Sequence, residues 1–192
     1  MGDSIIRLFQ FIYKWILISF YYWIYLLKGG IIYSFIPATA SLWMASQQMI
    51  TNKEMEIKDL FKENYANYSQ SPLISFIAVF LNILVSIALF FINRSHHMSS
   101  LAMVIICVYL LVLINLNIVY TIYYLIFEKQ TIRYSLALAF VTAIKHPIRS
   151  LGILLIFLCL SLLAWWNLIA FLAFGPSLFG ISIHLLFQLK KL

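Results

Sequence analysis

The sequence predicts an all-α, polytopic transmembrane helical bundle of about six spans, five being possible, with two short amphipathic helices on the cytoplasmic side. Three observations predict it. Hydrophobic residues make up 64% of the chain and charged residues only 10%, whereas a soluble domain averages about 25% charged. A soluble core of this size could not enclose so much apolar surface. The charges are also segregated: 29–52, 64–93, 95–127 and 150–189 contain no Asp, Glu, Lys or Arg. Each run reaches the roughly 20 apolar residues that a bilayer-crossing helix needs. Finally, 150–189 as one helix would measure roughly 60 Å, about twice the hydrocarbon thickness, so this run must turn.

The elements follow in order. The first span, 8–27, is crowded with Phe, Tyr and Trp, and Lys14 lies close enough to the interface to snorkel. Lys28-Gly29-Gly30 supplies a tight turn. The second span, 31–50, contains Pro37, which is expected to kink it. Ala38, Ala40 and Ala45 would then pack closely on another span. A polar stretch follows over 51–71, in which Leu60, Phe61, Tyr65 and Tyr68 recur at helical spacing, predicting an amphipathic helix on the membrane surface. Pro72 opens the third span, 72–92, from the first-turn position proline favours. Residues 93–97 form a short loop and 101–127 the fourth span. A second polar stretch, from Glu128 to His146, carries Ile132, Leu136, Phe140 and Ala143 at the same spacing. Pro147 opens the fifth span, 148–172, Gly175-Pro176-Ser177 is expected to turn the chain, and a last apolar stretch ends at Lys190-Lys191.

Lys and Arg set the orientation, because they collect in cytoplasmic loops. With six spans and both termini inside, Lys28 and Arg94 are the only basic residues outside, against 11 inside. The net charge of +7 is therefore topological information; the basic residues form no dense patch for nucleic acid. Ala38-Thr39-Ala40 mimics a cleavage site, but the charged glycine turn interrupts the stretch before it, so retention of the first span is expected. One membrane domain covers 1–192. A shift of 75 residues places Pro72 on Pro147, Ser75 on Ser150, Phe61 on Leu136 and Tyr65 on Phe140, which raises a weak parallel repeat, 31–92 against 106–172.

Chemistry-bearing residues are sparse. No acidic or basic residue sits at mid-depth, where proton relays and ion-coupled carriers place one. His184 is the one ionisable residue of this kind within a span, and a packing histidine is the ordinary reading of it. His96-His97 are adjacent on a loop and make no ligand constellation. Cys107 and Cys159 sit deep in apolar runs as small core residues. Asn82, Asn115, Asn117 and Asn167 read either as hydrogen-bonding glue between helices or, with Tyr120, Tyr123, Tyr124, Trp165 and Trp166, as a polar cavity for a hydroxylated ligand. No nucleophile elbow, carboxylate pair, phosphate loop or zinc motif occurs, so the residues predict no enzyme, metal or cofactor.

One block is distinctive: Gly30, then Pro37-Ala38-Thr39-Ala40-Ser41-Leu42. It resembles the YesL family of small multi-spanning bacterial membrane proteins, a family of unknown function, in which glycine, a short apolar run and proline-alanine-threonine-alanine-alanine-leucine follow one another. Ser41 departs from the family's alanine. The aromatic pattern of Phe61, Tyr65 and Tyr68 and the stretch from Arg133 through Ser135 to Pro147 are similar as well. The resemblance implies a non-enzymatic accessory role beside a carbohydrate ABC importer in a Gram-positive plasma membrane. The first and second polar helices, with Phe61, Tyr65, Tyr68, Arg133, Leu136 and Phe140, would then be partner surface. A small-molecule carrier or channel, or a factor in envelope polysaccharide or teichoic acid assembly, stands as the alternative.

Overall fold

A computed structural model describes residues 2–51, 56–68, 72–94 and 98–188, and the side chains of all of these except 2–5, 7, 8 and 98–100. Expectations for Lys53, His96, His97, Lys190, Lys191 and the Arg7 side chain lie outside that set. Among the described residues eight helices follow one another: α1 (Gly2–Lys28), α2 (Phe35–Ile50), α3 (Ile57–Tyr68), α4 (Pro72–Arg94), α5 (Met98–Phe127), α6 (Ile132–Lys145), α7 (Pro147–Trp166) and α8 (Leu168–Gln188). No strand occurs among the described residues. The fold is all-helical, and the two polar stretches form the short helices α3 and α6.

Among the described residues, four helices are long and apolar enough to cross a membrane: α4, the Leu101–Phe127 part of α5, α7 and α8. At most 33% of the most apolar window in each is buried inside the protein. Helices that turn so much hydrocarbon outward are stable only in an apolar medium, so the chain is compatible with a membrane protein. The other two expected spans differ. In α1 the tyrosines, Gln10 and Lys14 dilute the apolarity. In α2 the helix has 16 residues, about 24 Å, short of a hydrocarbon core of about 30 Å.

What α2 lacks in length it has in enclosure. Residues 36–43, 45 and 46 are all buried, and the helix packs against α1, α3, α4, α5 and α8. A helix without a polar face belongs at the centre of a bundle. Ala38, Ala40 and Ala45 are 0–2% exposed, and α2 meets α8 where Gly180 lies against Leu42 and Ser46, a spot with no room for a Cβ. Pro37 has a different role from the one expected. It stands in the first turn of α2, after Ser34 at the N-cap, and the first helical bond runs from the Ala38 N–H to the Ser34 carbonyl at 2.8 Å. No helical turn precedes the ring, so its missing N–H is one that α2 would leave unpaired anyway.

The turn into α2 uses the glycine pair. Gly30 takes φ +70° and Ile31 φ +51°, and only glycine enters that region without strain. At Gly29 a side chain would run into Ser34 and come within 2.8 Å of the Tyr65 hydroxyl.

The largest departure lies near the C-terminus. The chain does not turn at Gly175-Pro176-Ser177; α8 continues through it, and the break comes earlier, at Asn167 (φ −146°, ψ 100°). Pro176 leaves the Leu172 carbonyl without its helical donor. The Trp23 indole Nε1–H of α1 donates to that carbonyl at 2.9 Å, and Ser19 Oγ accepts from the Ser177 N–H at 3.2 Å. A neighbouring helix thus satisfies the groups that proline would orphan, which lets the helix survive. At Asn167 the side-chain Oδ1 accepts the Ala170 N–H at 3.0 Å, capping α8. The result makes α8 a 21-residue helix, about 31 Å, long enough to cross.

Candidate functional site

The residues singled out from sequence fall into three places. The first is α3. Leu60, Phe61 and Asn64 are buried, while Lys58, Asp59, Lys62 and Glu63 are exposed. Phe61 is 0% exposed. Its ring stacks with Tyr21 at 6.0 Å and Tyr25 at 5.7 Å between centroids. Tyr65 lies 5.1 Å from Tyr25, and its hydroxyl bonds Ser34 Oγ at 2.9 Å. Tyr68 is half-buried, and that burial pushes its hydroxyl above the ordinary tyrosine range. The helix therefore lies along α1 and α2 with its aromatic face inward. It does not present Phe61 to a partner.

The second place is α6, whose polarity runs the other way. Ser135, Ala139 and Thr142 face inward. Tyr134, Leu136, Phe140, Val141 and Ile144 are exposed, Leu136 and Phe140 each at 46%, and Arg133 is exposed beside them. Hydroxyls hold the inner face. Thr142 Oγ1 bonds the Tyr124 hydroxyl at 2.6 Å and donates to the Leu138 carbonyl at 2.7 Å. Just beyond the helix, Ser150 Oγ donates to the Ala143 carbonyl at 2.9 Å and meets the Tyr120 hydroxyl at 3.2 Å. Large apolar groups outward and small polar groups inward is the arrangement of a helix surrounded by lipid or by a partner.

The third place is the set of amides. Asn115 Nδ2 donates to Asn82 Oδ1 at 2.8 Å, joining α5 to α4. Asn117 accepts from Thr121 at 3.4 Å on its own helix. Asn167 is the exposed cap of α8. The four asparagines therefore occupy three separate settings. His184 is 6% exposed; the Gln188 amide lies 2.8 Å from its Nε2, and Phe127 lies against the ring at 6.1 Å. Among the described residues no three of His, Cys, Asp and Glu gather as a metal site would need.

Sequence reasoning missed Trp23, Ser19 and Gly180. The orphan carbonyl that Pro176 creates on Leu172 was a signal that a donor must come from elsewhere, and Trp23 lies within an aromatic-rich helix. Comparison with protein-family models, curated proteins and solved structures finds no match.

Proposed function

We propose that this protein is a non-enzymatic integral membrane accessory subunit that works by contact, through the outward face of α6. The observation that carries this reading is the inversion of α6: Leu136, Phe140, Val141 and Ile144 point away from the protein, with Arg133 at their margin. The partner we propose is a carbohydrate ABC importer of a Gram-positive plasma membrane, on the strength of the sequence resemblance to the YesL family. A carrier would want its polar groups converging on one cavity, and the asparagines are dispersed. An envelope-polymer assembly factor would want a reactive group near Arg94, where none stands among the described residues.

The proposed orientation places both termini in the cytoplasm, and it holds for four crossings or six, because both numbers are even. With six, Lys28 and Arg94 are outside; with α1 and α2 not crossing, only Arg94 is. Either way the positive-inside rule is met. Single cysteines decide between them. Arg94→Cys reacts with an impermeant thiol reagent from outside in both arrangements and Lys58→Cys in neither, while Lys28→Cys reacts only if six helices cross. Reaction at Lys58 would overturn the orientation.

Co-purification in mild detergent tests the contact. Phe140→Asp and Leu136→Asp should lower recovery of importer subunits while the fold is retained. Unchanged recovery, with sugar uptake also unchanged in a deletion strain, would remove the importer reading.

A further inference from the structure

Between α1, α2, α5, α7 and α8 lies a cavity of about 280 Å³. That is nearly twice the 150 Å³ engineered cavity that stays dry and takes up benzene, and it approaches the lower end of the ligand-pocket range, about 300 Å³. Its walls are mostly aromatic and aliphatic, with Trp23, Phe35, Phe157, Phe171 and Phe179 among them. Most of the few polar groups in the wall are already committed. Thr39 Oγ1 donates to the Phe35 carbonyl at 2.7 Å. Ser161 Oγ donates to the Phe157 carbonyl at 2.8 Å, and the Asn115 amide nitrogen is shared between Asn82 and Leu111. Trp23 Nε1 is held by Leu172. The mostly apolar wall offers few free donors, so a sugar or other hydroxylated guest would lose its water and find few partners.

The cavity reaches the surface beside α7. Phe157, Leu160, Ser161 and Ala164 lie on its inner wall at helical spacing, and Ser161 is exposed. Leu158, Leu162 and Trp165 next to them are exposed apolar side chains. The mouth therefore opens sideways into whatever medium bathes α7, and α7 is apolar and long enough to cross a bilayer.

We propose that this cavity takes up a single hydrocarbon chain of a membrane lipid, entering laterally past Ser161 and Ala164. The proposal rests on the membrane reading of α5, α7 and α8 and is independent of any importer partner. The dry aromatic walls reward a flexible apolar chain, and the headgroup would stay outside, where no charged wall residue has to receive it.

The test uses the full chain in nanodiscs with a trace of phosphatidylglycerol bearing a mid-chain diazirine, and in a second arm a polyisoprenyl phosphate bearing the same group. Illumination is followed by mass-spectrometric mapping. Labelling of Phe35 and Phe179 should saturate, compete with unlabelled lipid and be lost in Ala164→Trp, whose ring fills the space. Labelling of exposed Leu158 should rise linearly and be indifferent to that change. Whichever arm labels Phe179 identifies the source as acyl or isoprenoid. If Phe179 behaves like Leu158, or neither arm reaches it, the proposal is overturned; if Leu158 is not labelled at all, the membrane reading itself fails. Should Ala164→Trp not fold, saturation and competition at Phe179 in the unaltered chain decide the matter alone.

Discussion

The helices α3 and α6 share a length class, a place after a longer helix and a proline at the start of the helix that follows them, yet they pack oppositely. In α3 the aromatics face inward: Phe61 fills a slot between Tyr21 and Tyr25, and the charges of Lys58, Asp59, Lys62 and Glu63 look out. In α6 the hydroxyls of Ser135 and Thr142 face inward, and Leu136 and Phe140 look out. The difference teaches that equal hydrophobic spacing does not say which face a neighbour covers. The aromatic-rich α1 packs on α3 and buries its apolar stripe.

The largest expected effect separates the two helices by stability. Phe61→Ala should cost about 3–5 kcal/mol, the range for emptying a well-packed phenylalanine site. Phe140→Ala should stay within about 0.5 kcal/mol, as for an exposed position. Thermal unfolding in detergent measures both. Equal losses would show that the inward and outward faces have been assigned wrongly.

Hydroxyl contacts come next. Tyr65→Phe removes the bond to Ser34 in α3, and Thr142→Val removes the bond to Tyr124 in α6. Each should lower stability by about 1 kcal/mol. The Thr142 change should be the larger of the two if α6 depends on hydroxyls where α3 depends on rings. A greater loss from Tyr65→Phe would erase that contrast. Smaller still is the Asn82–Asn115 bond, for which a double-mutant cycle with alanine should give about 0.6 kcal/mol of coupling, as for buried polar pairs in membrane bundles. Zero coupling would mean that the two amides do not hold α4 to α5.

Much of this architecture is legible in the sequence for physical reasons that can be named. Charge-free runs exceed a bilayer's length, so α4 and α5 lie where 72–92 and 101–127 predict them, while 150–189 does fold as two helices but divides at Asn167, not at the turn expected at Gly175-Pro176-Ser177. Pro72 and Pro147 begin helices because a first-turn proline gives up no hydrogen bond. The misreadings share a cause. Pro176 resembles a chain reversal until Trp23 and Ser19, more than 140 residues away in sequence, are seen to take up the groups it frees. Pro37 resembles a mid-helix kink until the turn after Gly30 is seen to last until Ser34. In the candidate site the residue types were legible and their company was not: Phe61 and Phe140 occupy similar positions in their helices, and only the neighbour tells them apart.

The smallest expected effect is also the one with an unusual sign. Ser135 is 0% exposed on the inner face of α6, and its Oγ has no hydrogen-bond partner. A buried hydroxyl without a partner is unfavourable by roughly the desolvation of that group. Ser135→Ala removes the oxygen and leaves almost the same shape, so stability should be unchanged or rise by a few tenths to about 1 kcal/mol. Ser75, also 0% exposed, accepts the Ile36 N–H at 3.2 Å where α4 begins beside α2. There the same change to alanine should be destabilising by about 1 kcal/mol, because a buried donor loses its acceptor. Opposite signs for two equally buried serines would support the hydrogen-bond assignment on both. A clear loss of stability in Ser135→Ala would mean that its hydroxyl has a partner, and the inner face of α6 would then be held more firmly than its contacts indicate.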